Sequence, residues 1–264
     1  EARARGVSVV PDTGLAPGMV NVLAQHGIDQ FETVDAVQLF VGGLPEHPEP
    51  PLNYQIAYSI EGMLDYYTTP SLVLRDGVPT EVTALSECEA VPFAEPVGTL
   101  EAFHTAGGLS TMVYRYAGII PRMEYKTLRY PGHAAIMEAI RGLGLLGTTP
   151  VTVAGQSVVP RALFVEVAGG VLRKAKPDLV ALRVVVTGTV GGVRSTRAWE
   201  VIDHYDAAHG ISAMMRTTGF TLSITGHLQA DGTVPPGVHT PDEALPAARY
   251  IAMLAARGIM VREC

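Results

Sequence analysis

Apolar and polar positions change period several times along this 264-residue chain, and the changes mark its elements. Gly6 to Val10 is a short apolar run of strand type, and Pro11-Asp12-Thr13-Gly14 turns out of it. Pro17 suits the first turn of a helix, because it lacks the N–H that would be orphaned there. That helix is expected from Gly18 to Gln25, with Gly27 as its stop. Asp35 to Val41 alternates as a strand does, and the four prolines of the following GGLPEHPEPPL exclude a regular element. Tyr54 to Ser59 reads as a further strand, with Ser59 placed to cap a helix over Ile60–Tyr67. Ser71–Arg75 and Glu81–Ala84 flank Asp76–Gly77 as a hairpin would. Met123 to Tyr130 is strand-like, Pro131–Gly132 breaks it, and His133 to Arg141 is an amphipathic helix. The clearest β signal pairs Ala181–Gly188 with Val193–Asp203 through Gly191–Gly192. Gly210–Leu228 and Pro241–Gly258 read as helices, and Ile259–Val261 as a final strand.

Strands and helices mix here without strict βαβ alternation. The expected class is α+β, a mixed and largely antiparallel sheet packed with helices. Neither an internal repeat nor a low-complexity linker interrupts the chain, so one main domain is expected. Apolar residues at 47% and charged residues at 17% exclude a disordered chain. A net charge of −7 without a basic cluster argues against nucleic acid and against an anionic membrane surface. No run reaches the roughly 18 apolar residues that span a bilayer. Cys88 and Cys264 are too few for a disulfide scaffold or a cysteine zinc site, so a reducing cytoplasm and no metal are expected. The first residue is Glu1 rather than Met, which reads as a piece of a longer chain.

Gly142-Leu143-Gly144-Leu145-Leu146-Gly147 matches the dinucleotide fingerprint G-x-G-x-x-G. Its context is wrong. The motif needs a strand before it and a helix start after it, whereas here a helix precedes and Thr148-Thr149-Pro150 follows. A glycine-rich helix C-cap is the expectation.

Four segments could carry chemistry. Pro11 to Gly18 could aim backbone N–H groups at an anion or at a cofactor's polar edge, with Asp12 fixing a hydroxyl or amide; equally, Asp12 could cap the helix. In Glu124 to His133, Lys126, Leu128 and Tyr130 would share one strand face, and Thr127 and Arg129 the other. Arg129 could hold a carboxylate, while Lys126, Tyr130 and His133 are possible acid–base groups; the alternative is a surface strand of solvated charges. Glu101 and His104 could meet as a pair, or His104 could be a structural group beside Phe103. Met215-Arg216-Thr217-Thr218-Gly219 could line a pocket, or could mark close helix packing around Gly219.

Taken together, these segments resemble the saccharopine dehydrogenase family, and within it the L-lysine 6-dehydrogenase branch. The residues concerned are PDTGLAPGMVNVLA at 11–24, GGLPEHPEPPLNYQIAYSIEGMLDYYT at 42–68, GTLEAFHTAGGL at 98–109, EYKTLRYPGHAAIMEAIRGLGLL at 124–146 and GISAMMRTTGF at 210–220. The resemblance implies a C-terminal catalytic and dimerisation domain whose N-terminal Rossmann half is missing. It would divide the chain into a Rossmann strand and turn at 1–14, a substrate and dimer domain at 15–240, and a returning helix and strand at 241–264. It also implies NAD or NADP as cofactor, approached by Asp12, Gly14 and Pro17, and a small amino acid or amine as substrate. Arg129 would bind the substrate carboxylate, with Thr127, Glu101, Arg216 and Thr217 beside it. The general base is left among His104, Lys126, Tyr130 and His133. The implied reaction moves hydride from an amine-bearing carbon of lysine, or of a lysine-derived secondary amine, and a homodimer is implied. A non-catalytic binding or dimerisation module of the same fold is the alternative.

Overall fold

The computed structural model of the chain describes residues 1–174 and 176–264. A central sheet collects most strands. It runs in the order β13 (Arg262–Glu263), β11 (Val193–His204), β10 (Asp178–Val190), β2 (Thr33–Pro45), β7 (Arg122–Arg129), β3 (Ser71–Arg75) and β4 (Val78–Val82). β6 (Thr99–His104) also pairs with β7, and β5 (Glu89–Pro92) pairs with β6. Only β2–β7 is parallel within this sheet; its other pairs are antiparallel. The expected α+β class, with a mixed and largely antiparallel sheet, is what forms. A separate parallel pair joins β1 (Ser8–Val9) to β12 (Gly237–Val238), and β8 (Val151–Val153) forms a hairpin with β9 (Gln156–Val158).

Helices cover the sheet. α1 (Met19–Ile28), α6 (Ala213–Ala230) and α8 (Ala247–Ala255) pack against it around Leu39, Leu182, Val184 and Trp199. α2 (Ile60–Thr68), α4 (His133–Gly142) and α5 (Pro160–Leu172) build a second core around Tyr54, Tyr67 and Phe103. The short α3 (Met112–Arg115) and α7 (Pro241–Ala244) lie in connections. Among the described residues no helix is long and apolar enough to cross a membrane.

Local chemistry accounts for several of these boundaries. Ser59 caps α2 by accepting from the Gly62 amide at 3.2 Å, as its position indicates. The β3–β4 hairpin turns on Asp76 (φ 51°) and Gly77 (φ 74°), and its second strand starts at once rather than at Glu81. The fingerprint-like glycines are indeed a helix end. Gly144 has φ 80° and donates to the Arg141 carbonyl, while Leu145 donates to Ile140, which closes a Schellman motif.

Other boundaries move, each for a packing reason. Gly27 does not stop α1: the helix passes through it because Trp199 and Val186 lie where a Cβ would stand, at 2.7 and 2.8 Å. β2 runs on through Gly42, Gly43 and Leu44 to Pro45, since β10 pairs with all four. Tyr54–Ser59 is not a strand. Its backbone finds no ladder partner, and it is held by Ile56 N–H on Leu172 and by Gln55 on the Lys176 carbonyl. The helix expected over 241–258 is cut at Pro246, which has no amide to give, and Ile259 enters the core instead of starting a strand.

Gly42 and Gly219 make opposite demands. A Cβ on Gly42 would stand 2.6 Å from the Leu128 carbonyl oxygen, whereas one on Gly219 meets nothing within 4 Å, so close helix packing there is excluded. In urea unfolding, Gly42→Ala is expected to cost about 1–3 kcal/mol. Gly219→Ala should gain roughly 0.5–1 kcal/mol from helix propensity.

Candidate functional site

A cleft of about 550 Å³ opens between β2, β7, the 12–17 loop and the start of α6. That volume suits a small organic ligand. β7 supplies Tyr125, Thr127 and Arg129 from one face, and β2 supplies Val41 and Gly43. Tyr58, Tyr66, Thr105 and Ala106 close one side, and Met214, Met215 and Thr218 of α6 the other. Asp12 and Arg129 are the charged residues on the lining among the described residues.

The two-residue period of β7 makes this division. Thr127 and Arg129 enter the cleft as the alternation indicates, and Thr127 Oγ1 lies 2.7 Å from Thr105 Oγ1. The ring of Tyr125 is pressed against the backbone of Gly108, where a Cβ would stand 2.2 Å from it. Burial pushes the phenols of Tyr54 and Tyr125 up to about 12 and raises that of Tyr67, so all three stay neutral.

Arg129 is the central feature. It is 4% exposed, forms no ion pair among the described residues, and packs its guanidinium 4.7 Å from the centre of the Tyr54 ring. Its Nη1 donates to the Leu128 carbonyl at 2.9 Å and to the Gly43 carbonyl at 3.5 Å, and its Nε to Tyr67 Oη at 3.2 Å, leaving Nη2 without an acceptor among the described residues. Behind it, Tyr67 Oη lies 2.9 Å from His133 Nε2, and His133 Nδ1 lies 3.2 Å from the Leu52 carbonyl. His133 is 1% exposed and stacks on Phe103. Burial, and then the neighbouring Arg129 charge, hold its imidazole down at about 3. His133 therefore sits behind the cleft, without lining it.

The 11–18 segment borders the cleft through Asp12, Gly14 and Pro17, but it is not an open cradle of amides. Gly18 N–H donates to Asn21 Oδ1 at 2.7 Å, Met19 N–H to Gly14, and Val20 N–H to Leu15. The helix start is thus satisfied from within. Nor does Asp12 cap it: its carboxylate accepts from the Ser110 hydroxyl, and both residues hold positive φ, 59° and 51°. Asn21 also donates to the Gly108 carbonyl at 3.0 Å, tying the 12–18 and 107–110 loops together.

The remaining expected site residues lie elsewhere. Lys126 points to the opposite face of β7, 3% exposed, bonded to Glu89 at 2.6 Å and to the Glu87 carbonyl. His104 is on that face too, 3.2 Å from Glu87, with its Nδ1 on the Tyr125 carbonyl, and burial lowers its pKa. Donor atoms of Glu87, His104 and Glu124 approach within 4.8 Å of one another, as a metal set would. Arg75 already bonds both carboxylates at 2.9 Å and Arg122 bonds Glu124, so their charge is matched by cations. Glu101 does not pair with His104, because residues three apart on a strand face opposite ways. It accepts instead from Gly132 and Ala134 N–H, capping α4. Tyr130 donates to the Pro45 carbonyl at 2.9 Å. Arg216 pairs with Asp203 and Asp206, and Thr217 bonds back to Ala213 in the core. The pocket face of this helix is the adjacent one, Met214, Met215 and Thr218.

The comparisons with known proteins agree with one another. A family model described as the saccharopine dehydrogenase C-terminal domain matches residues 14–259. The mitochondrial alpha-aminoadipic semialdehyde synthase of Rattus norvegicus is 29% identical over 158 residues, and its Mus musculus counterpart 30%. Each match covers 53% of this chain and 16% of the relative's length. The saccharopine dehydrogenase (L-Glu forming) of Saccharomyces cerevisiae has a similar fold, with a TM-score of 0.79 at 19% identity over 99% of this chain and 74% of that one. A homospermidine synthase of Legionella pneumophila, solved in complex with NAD, reaches 0.66 at 9% identity, covering 98% and 64%.

The buried imidazole gives a pH signature. Its folded-state pKa lies below the ordinary 6.5, so the unfolded chain binds the proton first as pH falls. Stability is then lost from pH 6.5 downward toward about 3. Between pH 7 and pH 5 His133 alone should cost about 2 kcal/mol. In His133→Gln, the fall in the urea midpoint over that interval should shrink accordingly.

Proposed function

Because the chain belongs to the saccharopine dehydrogenase C-terminal domain family, we propose that it is the substrate-binding unit of an NAD(P)-dependent oxidoreductase acting on an amine carbon of lysine or of a lysine-derived secondary amine. The observation that carries this reading is Arg129, a buried guanidinium without a protein carboxylate and with Nη2 free at the cleft. An unpaired buried cation is costly, and an anionic ligand offsets that cost. A substrate carboxylate on Arg129 would lay its alkyl chain along Tyr58, Tyr66 and Met214. Its amine end would then reach the Asp12 side. The one guanidinium of the lining can meet the single carboxylate of lysine, and its one carboxylate one of the two ammonium groups, whereas saccharopine would bring three carboxylates to that guanidinium.

The dinucleotide is a different matter. Among the described residues nothing forms its cradle: the glycine fingerprint is a helix end, and the first amides of α1 are already bonded. The reading leaves that group to residues other than these 264. For the same reason a non-catalytic binding module of this fold is the second reading. Supporting it further, His104, Lys126, Tyr130 and His133 all lie off the cleft lining.

Steady-state kinetics of the full-length protein test both. Lysine-dependent reduction of NAD(P)+ is expected, within a panel that includes saccharopine and carboxynorspermidine. Arg129→Met should raise the KM for lysine by roughly 10- to 100-fold while changing that for cadaverine, which lacks the carboxylate, by less than about twofold. Absence of amine-dependent reduction, or unchanged lysine kinetics in Arg129→Met, would favour the binding module.

A further inference from the structure

Tyr67 and His133 touch no ligand surface, yet both are almost fully buried and polar, and neither the cleft nor the core packing needs their heteroatoms. We infer that they form a neutral hydrogen-bond relay, ending on the Leu52 carbonyl, that positions Arg129 for a carboxylate. The inference rests on the reading above, in which Arg129 meets the carboxylate of the substrate.

The direction of every bond follows from the atoms present. A carbonyl only accepts, so His133 Nδ1 must carry the proton that reaches Leu52. In a neutral imidazole Nε2 is then bare, and it accepts the Tyr67 hydroxyl proton across 2.9 Å. With that proton committed, Tyr67 Oη can only accept, and the donor facing it is Arg129 Nε at 3.2 Å. The opposite tautomer would set a bare Nδ1 against the Leu52 carbonyl, acceptor against acceptor, and turning the Tyr67 hydroxyl toward Arg129 Nε would set donor against donor. A protonated His133 would do so at once, and would also place a second positive charge beside the guanidinium; burial and that charge keep the ring neutral.

The relay adds the bond at Nε that the other contacts of this side chain do not make. The Tyr54 face supports the guanidinium plane from one side but does not select its rotation. Nη1 donates to the Leu128 carbonyl at 2.9 Å and to the Gly43 carbonyl at 3.5 Å. Fixing Nε on Tyr67 settles the remaining freedom, so that Nη2 presents to the cleft. The ring cluster in turn holds the relay: His133 stacks on Phe103 with 5° between planes, and Tyr54 and Tyr67 meet it edge-on. Glu101 anchors the helix that carries His133. Tyr67 and His133 are positioning residues. They touch neither substrate nor reacting atoms.

Two measurements on the full-length protein decide the matter. Nitrogen-15 spectra of the imidazoles should show His133 protonated at Nδ1 and bare at Nε2 from pH 8 to pH 5, with or without lysine; the opposite tautomer overturns the relay. In steady-state kinetics, Tyr67→Phe keeps the ring and its packing, and should raise the KM for lysine by roughly 5- to 20-fold with kcat within about twofold. The KM for cadaverine should not move. His133→Phe should have a similar effect, and the double variant should be no worse than Tyr67→Phe alone. Equal losses for lysine and cadaverine, or an unchanged lysine KM in Tyr67→Phe where Arg129→Met is impaired, overturn the relay while leaving the reading of Arg129 intact. If Arg129→Met is itself without effect on lysine, the reading of the cleft fails, and the positioning role with it.

Discussion

Every residue of β7 after Arg122 is buried, and three of them, Glu124, Lys126 and Arg129, are charged on a strand enclosed on both faces. Buried charge must be matched, and this strand matches it unequally. On one face Glu124 and Lys126 are met by Arg75, Arg122 and Glu89, in a cluster that also holds His104 and Glu87. On the other face Arg129 finds a tyrosine oxygen, backbone carbonyls and a ring, but no carboxylate. The β2–β7 contact sets how close the two sides come, through the close approach at Gly42. The cleft is the space left beside the unmatched charge.

Much of this was legible in the sequence where a local rule decided the outcome. The period of two put Thr127 and Arg129 on one face and Lys126 on the other. The β10–β11 hairpin and the glycine-rich end of α4 follow turn and cap chemistry that neighbouring residues carry themselves. What failed depended on distant partners. Tyr54–Ser59 has a strand's pattern but no strand to pair with, because Tyr54 is buried among helices and under Arg129. Glu101 looked like a partner for His104, yet its carboxylate answers the start of a helix 31 residues away. The β5–β6 hairpin, α5 and the β8–β9 hairpin gave no periodic signal strong enough to name.

Several cleft residues were not singled out by residue type. Tyr125 follows from Thr127 and Arg129 by the same alternation, one step further back. Of the 215–219 segment expected at a pocket, Met215 and Thr218 do line it and Met214 joins Thr218 four residues away on one helix face, whereas Arg216 and Thr217 are turned away toward Asp203 and the core. Polarity drew attention to the wrong side of that helix: its threonines return their hydroxyls to their own backbone, and its cleft face is largely thioether. Tyr58 and Tyr66 come from the two ends of one turn-and-helix segment, and only the fold shows that both line the cleft.

Two of the non-glycine residues with positive φ meet at the other end of the cleft. Asp12 and Ser110 each adopt a backbone conformation that costs on the order of 1–3 kcal/mol, and they are bonded to one another. Asn21 clamps the same two loops from beneath. One end of the cleft is therefore held by a bond across two unfavourable turns, and the other by groups that neither gain nor lose protons near neutrality. His133 stays neutral down to about 3, and the phenols of Tyr54 and Tyr125 up to about 12. Across the range in which a cell varies, Arg129 and these supporting groups keep one protonation state. A ligand's own ionisation would thus be reported by this cleft without distortion from Arg129 or its supports, much as a calibrated electrode has a fixed reference.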